Sequence, residues 1–325
     1  MWHAAQHPAE DTGDHKPPNV TFVLQWGSPG DGPGQFHSPI GMAFAPRDEI
    51  VVTDVNNSRV QRFSTSGRFL SQFHLPRDTG ERNQSVAGGI AVRRDGLVYV
   101  AFMQQHCIRA FTPKGEWVLE FGRAGSAPGE FRQPGGLLFG PDGCLYVADQ
   151  CNHRVQVFTP EGHYLRMFGK HGFALGEFGG PEPAGSRFAG PHLICLDAVG
   201  NICTTEGTHC RVQRITRQGV GINGWGDNSD APGGFGSRSS KAAGLKGPIG
   251  ICCDHQGRIW VSSLNDRVQC FSPNGRHLLT LGGITGDQPG RFARPHSLLA
   301  DRQGYLYVAD AGNQRIQKFR LKDGK

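Results

Sequence analysis

Apolar residues fall in short runs along most of this chain, each closed by a pair of turn-forming polar residues. From Leu137 to Phe168 the pattern is clear. Leu137 to Phe139 is apolar, Asp142-Gly143 is a turn, and Leu145 to Ala148 is apolar again. A turn through Asn152 follows, then Arg154 to Phe158 with alternating side chains, a turn at Glu161-Gly162, and finally Tyr164 to Phe168. Runs of four to six residues separated by Asp-Gly and Asn-containing turns predict strands joined as hairpins, not helices. Each such stretch therefore reads as four short antiparallel strands.

The stretch repeats. GQFHSPIGMAFAPRDEIVVTDVNNSRVQRF begins at Gly34, GEFRQPGGLLFGPDGCLYVADQCNHRVQVF at Gly129, and GRFARPHSLLADRQGYLYVADAGNQRIQKF at Gly290. Three more drifted copies follow the same outline: GGIAVRRDGLVYVAF, GPHLICLDAVGNICTTE and GPIGICCDHQGRIWVSS. Equivalent positions are Arg59, Cys107, Arg154, Arg211, Arg267 and Arg315, spaced 48, 47, 57, 56 and 48 residues apart. Four antiparallel strands at this period define a propeller blade, so the expected fold is all-β, a six-bladed β-propeller. The last unit, ending near Leu321, lacks its fourth strand, while Val20 to Gly27 resembles the blade-ending run Trp117 to Gly122. An N-terminal strand that completes the last blade would close the ring and remove an exposed edge. Residues 1–18 are expected to form a flexible tail and residues 19–325 the propeller.

Composition agrees with a turn-rich fold. Gly supplies 48 of 325 residues, about twice its usual share of roughly 7%. No apolar run approaches the roughly 18 residues of a membrane helix, and no secretory leader is expected, since Met1 to Pro18 is polar. Nine Cys are odd in number and form no CxxC pair. Most lie in strand-like runs, where a thiol acts as a small hydrophobe. They point to buried, reduced thiols and a cytoplasmic setting. The net charge of +6 is too small to define a partner.

The repeat resembles that of NHL-repeat propellers, whose unit reads approximately GxFxxPxGIAVDxxGxxYVADxxNxRVQVF, over about Val20 to Leu321. The resemblance implies the fold. It leaves function open, because similar propellers include RNA- and protein-binding domains of tripartite-motif ligases and translational repressors, bacterial sensor domains, and the peptide-amidating lyase. No RING, B-box, coiled-coil or kinase segment accompanies the repeats in this sequence.

The recurring Asp/Asn/Arg sets (Asp54, Asn57, Arg59; Asp149, Asn152, Arg154; Asp310, Asn313, Arg315) read as structural staples, since Asp accepts from backbone amides and from Arg. Phe102, Gln105 and Cys107 replace the set in the second blade, and Glu206 and His209 alter it in the fourth. His192 and His296, each after a proline, are expected at the channel mouth in blades four and six. In the amidating lyase, the resemblance implies, Pro-His at this place in three alternating blades holds a catalytic zinc. The third match here is Gly88, and two His fall short of an open three-ligand zinc site. No metal or cofactor is therefore assigned, with His192 and His296 as the only metal candidates. The long loops are expected on the same face, where Lys170, Arg238, Lys241, Lys246 and Arg294 would lie among exposed Trp225, Phe235 and Phe173. Bases interleaved with aromatics suit single-stranded RNA. The sequence reading is a monomeric, non-catalytic scaffold binding a protein or peptide partner through this face. The alternatives are an RNA-binding propeller and a metal-dependent lyase or hydrolase at the channel mouth.

Overall fold

The computed structural model describes residues 15–76, 87–179, 190–236 and 247–323. Its strands form six four-stranded sheets. The alternation expected from sequence is realised in the second and third blades as Val98–Phe102, Cys107–Phe111 and Trp117–Phe121, then Pro134–Phe139, Leu145–Asp149, Arg154–Phe158 and Tyr164–Phe168. Neighbouring strands are antiparallel throughout, for example Tyr146 opposite Val157. The sixth sheet holds Pro295–Ala300, Tyr305–Asp310 and Arg315–Lys322, and its fourth strand is Asn19–Trp26. Phe22 pairs with Phe319 and Trp26 with Ile316. The ring is thus closed by the first strand of the chain.

Apolar side chains of adjacent sheets meet between them. Val51, Val60 and Phe73 of the first blade pack against Val98, Val100 and Phe102 of the second. Phe158 and Leu145 of the third blade pack against Tyr99 and Ile108 in the same way. Strands covered on both faces explain why runs such as Leu145–Asp149 are buried at every position. The innermost strands approach one another so closely that two glycines are obligatory. A Cβ on Gly89 would stand 2.4 Å from the Gly135 carbonyl oxygen, and one on Gly136 2.8 Å from the Leu193 Cα.

Innermost strands carry a register irregularity just after their leading proline, as between Pro134 and Leu137 or Pro295 and Leu298. A bulge turns the intervening residues out of the ladder, and here it turns the residue after the proline toward the channel. Residues 1–14 of the expected tail lie outside the described residues. His15, also expected in the tail, offers its carbonyl to Arg276 at 2.8 Å. Among the described residues no helix is long and apolar enough to cross a membrane.

Candidate functional site at the channel mouth and loop face

Buried carboxylates organise the loop face. Asp149, fully buried, accepts the Arg132 amide at 2.7 Å on Oδ1 and bonds from Asn152 (2.9 Å), Arg154 (2.8 Å) and Gln156 (3.0 Å) on Oδ2. Burial nevertheless pushes its pKa up, against the pull of these donors. The Arg154 guanidinium then donates to the carbonyls of Ser126 (2.8 Å), Ala127 (3.0 Å) and Glu130 (2.9 Å), which fixes the loop entering the blade. Asp54 with Arg59, and Asp310 with Arg315, repeat the arrangement, each pair at 2.8 Å. The sets expected to be staples are staples.

In these three blades the turn after the Asp forms a short 3-10 helix. In blade four Glu206 accepts from Arg211 at 3.0 Å and His209 at 3.3 Å, and that turn is not helical. In blade two Phe102 and Cys107 are buried side chains of the core. The charge pair is there replaced at both ends by apolar groups.

A second device joins successive blades. The residue after each such turn has a left-handed backbone, with φ of 57° at His106, 64° at Asp266 and 56° at Gln314. At these three its side chain accepts the backbone amide that precedes the next blade's proline. His106 Nδ1 takes Gln133 at 3.0 Å, and Asp266 Oδ1 takes Arg294 at 2.7 Å.

Inside this frame the loop face opens into a cavity of about 230 Å³ at the channel mouth. Ile40, Val55, Met103 and Leu193 supply apolar walls, and Gly88, His192 and His296 all lie on its rim. The equivalence of these three positions, expected from sequence, is therefore geometric. His192 is 5% exposed, and its Nδ1 lies 2.8 Å from Gln150 Oε1. Burial, with His296 as the lesser cause, pushes its pKa down to about 3. Burial, then Arg294, pushes His296 down to about 4. Both imidazoles are neutral at pH 7. His296 Nδ1 is buried without a hydrogen-bond partner, so the wall offers a polar group that a bound molecule or water can satisfy. Sequence reasoning missed Gln150. Its pairing with His192 spans 42 residues and leaves no local pattern.

The other expected site residues are scattered in role. Lys170 is exposed but ion-paired to Glu177 at 3.0 Å. Arg294 is exposed, with its backbone amide held by Asp266. Arg238, Lys241 and Lys246 lie outside the described residues. Phe235 corrects the expectation of an exposed aromatic platform, because it is fully buried with its ring centroid 5.8 Å from that of Phe271. Trp225 is half-buried against the same Phe271, also at 5.8 Å. The reason is the repeat itself. Phe36, Phe131, Phe178, Phe235 and Phe292 are all fully buried, and each follows a glycine by two positions. That Gly-x-Phe pattern was legible. Among the described loop residues the exposed aromatic is Phe173, at 61%.

Comparison with known proteins agrees with this architecture. The NHL repeat family matches residues 36–63, 131–158 and 292–319, the three blades with the Asp/Asn/Arg set. The chain is a six-bladed β-propeller that carries NHL repeats in these three blades. It is similar to peptidyl-glycine alpha-amidating monooxygenase B of Xenopus laevis, 45% identical over 65 residues, covering 19% of this chain and 7% of that protein. It is also similar to the protein brain tumor of Drosophila melanogaster, 30% over 107 residues, covering 32% and 10%. NHL repeat-containing protein 3 of Mus musculus is 31% identical over 100 residues, covering 28% of each chain. The matched stretch is thus a minor part of each relative. Among solved structures, a virginiamycin B lyase from Staphylococcus aureus superposes with a TM-score of 0.59 at 15% identity, covering 93% of this chain and 100% of that one. A Bacteroides thetaiotaomicron protein of unknown function gives 0.64 at 17%, covering 94% and 76%. These two share the fold.

Proposed function

We propose that this propeller is a non-catalytic interaction module that binds a protein or peptide partner through its loop face, with one partner side chain entering the channel-mouth cavity. The cavity carries this reading. A cavity near 150 Å³ already accepts a benzene ring, so one of about 230 Å³ has room for a large apolar side chain. Neutral His296 on the cavity wall would meet a backbone carbonyl or amide of the bound chain. The alternatives have less support. Gly88 stands where a third imidazole would complete a metal set, and His192 Nδ1 is already engaged by Gln150. RNA stacking on Phe235 is excluded by its burial. A reducing, cytoplasmic setting belongs to the same proposal. Six of the nine Cys are buried, where a thiol acts as a small hydrophobe.

The test is site-specific photo-crosslinking in lysate from benzoylphenylalanine placed at Gln104 on the cavity rim. The expected result is a polypeptide adduct that survives nuclease and disappears in a Met103→Trp variant that fills the cavity but melts like wild type. Adducts only to nuclease-sensitive material would favour RNA, and no adduct at all would reject the channel mouth as a docking point.

A further inference from the structure

We infer that the seam between the third and fourth blades is a second docking point on the loop face, taking an acidic segment of the partner that bears an apolar side chain. The inference rests on the interaction reading above, and it begins from a comparison of five loops within the chain. Residues 27–36, 122–131, 169–178, 226–235 and 283–292 share one frame. In each, an arginine of the following blade donates to the carbonyl of the fifth residue. Arg154 reaches Ser126 at 2.8 Å, Arg211 reaches Phe173 at 2.7 Å and Arg267 reaches Asp230 at 2.8 Å. Arg59 bonds Asp31 and Arg315 bonds Asp287 in the same way. The frame uses only the backbone of that residue, so its side chain is not needed for folding. Four loops place Asp or Ser there. The loop at the third seam places Phe173 there, 61% exposed.

The departures gather at this seam. The seventh loop residue is Pro33, Pro128, Pro232 and Pro289 elsewhere but Leu175 here, 47% exposed. His209 stands where Asn57, Asn152 and Asn313 stand, and its ring lies 4.9 Å from that of Phe173. His171 is exposed, and its ring lies 4.6 Å from that of buried His153. An exposed apolar pair beside three imidazoles serves none of the stapling roles found in the other loops.

Charge indicates the occupant. The seam's described carboxylates are matched internally, Glu206 by Arg211 and His209 and Glu177 by Lys170. Arg132 is exposed at the neighbouring seam. The tips of three other loops carry exposed Asp31, Asp227, Asp230 and Asp287 instead. An approaching acidic chain therefore meets carboxylates already matched by cations here, with exposed His171 beside them, and exposed carboxylates on those three tips. Phe173 is an aromatic anchor of the kind that dominates interfaces.

The probe is a fluorescein-labelled peptide of two tryptophans flanked by glutamates, titrated by anisotropy at pH 7. Phe173→Asp is the main variant, because Asp occupies this position in three other loops and keeps the backbone bond from Arg211. Binding to wild type should weaken at least about tenfold in Phe173→Asp, the effect expected of a hot-spot truncation. It should persist in His296→Ala, which alters the channel cavity alone. A lysine version of the peptide should not bind. No binding to wild type, unchanged binding in Phe173→Asp, or equal binding of the lysine peptide overturns the inference. Loss in His296→Ala with Phe173→Asp unaffected overturns the seam while leaving the channel mouth standing.

Discussion

Replacing Arg154 by Met should destabilise the propeller far more than an average surface change. The Asp149 carboxylate behind it is fully buried and would lose its cationic partner. Three loop carbonyls would also lose their donor. Removing one member of a buried pair costs about 3–5 kcal/mol. The lower end is expected, because the carbonyls of Ser126, Ala127 and Glu130 sit near the surface and can turn to water. Blade two shows the alternative solution, with Phe102 and Cys107 at the two positions. The double variant Asp149→Phe/Arg154→Cys should therefore cost less than the sum of its singles. Gln156 and Asn152 would keep their bonds to Glu130 and Gly125, at 2.7 and 2.8 Å, so few donors would be orphaned. A favourable coupling of at least about 1.5 kcal/mol is expected, within the range for contacting residues. Urea unfolding of wild type, both singles and the double at pH 7 measures it. Additivity within about 0.5 kcal/mol, the behaviour of independent sites, would show that the two residues do not act as a buried pair.

Three further outcomes follow from the same geometry. His192 and His296 have folded pKa values of about 3 and about 4, below the unfolded value near 6.5. The unfolded chain thus binds more protons below about pH 6.5, and stability should fall on acidification toward pH 4 by up to about 1.4 kcal/mol per pH unit for each His. A His192→Gln/His296→Gln double variant should flatten that slope, and an unchanged slope in urea titrations would refute it. Deleting residues 1–18 should leave melting nearly unchanged. Deleting 1–27 removes the strand paired with Ile316 to Lys322 and should abolish cooperative melting in calorimetry; a wild-type transition would disprove closure by this strand. Finally, Cys252 and Cys270 are buried, and burial pushes both thiols well up. They should resist iodoacetamide until the chain is unfolded, and rapid native labelling detected by mass spectrometry would contradict that burial.

The sequence by itself determined the propeller, the number of blades and the strand that closes the ring. Each rests on a local signal repeated six times: hairpin turns at Asp142-Gly143 and Glu161-Gly162, apolar runs covered on both faces, and an orphan strand at Val20 to Gly27. It also marked Asp149 and Arg154 as staples, because a recurring set must serve what all blades share. It misjudged Phe235, which was set apart by its position in a long loop although it continues the Gly-x-Phe pattern of Phe36 and Phe131, and it placed Trp225 in that loop although it ends a blade's fourth strand. What only the tertiary structure decided is which side chains share one space. Gln150 meets His192, His209 meets Phe173 and His153 meets His171, through pairings across blades that no local period encodes. Burial decided the rest, since the neutrality of His192 and His296 depends on apolar walls contributed by several different blades.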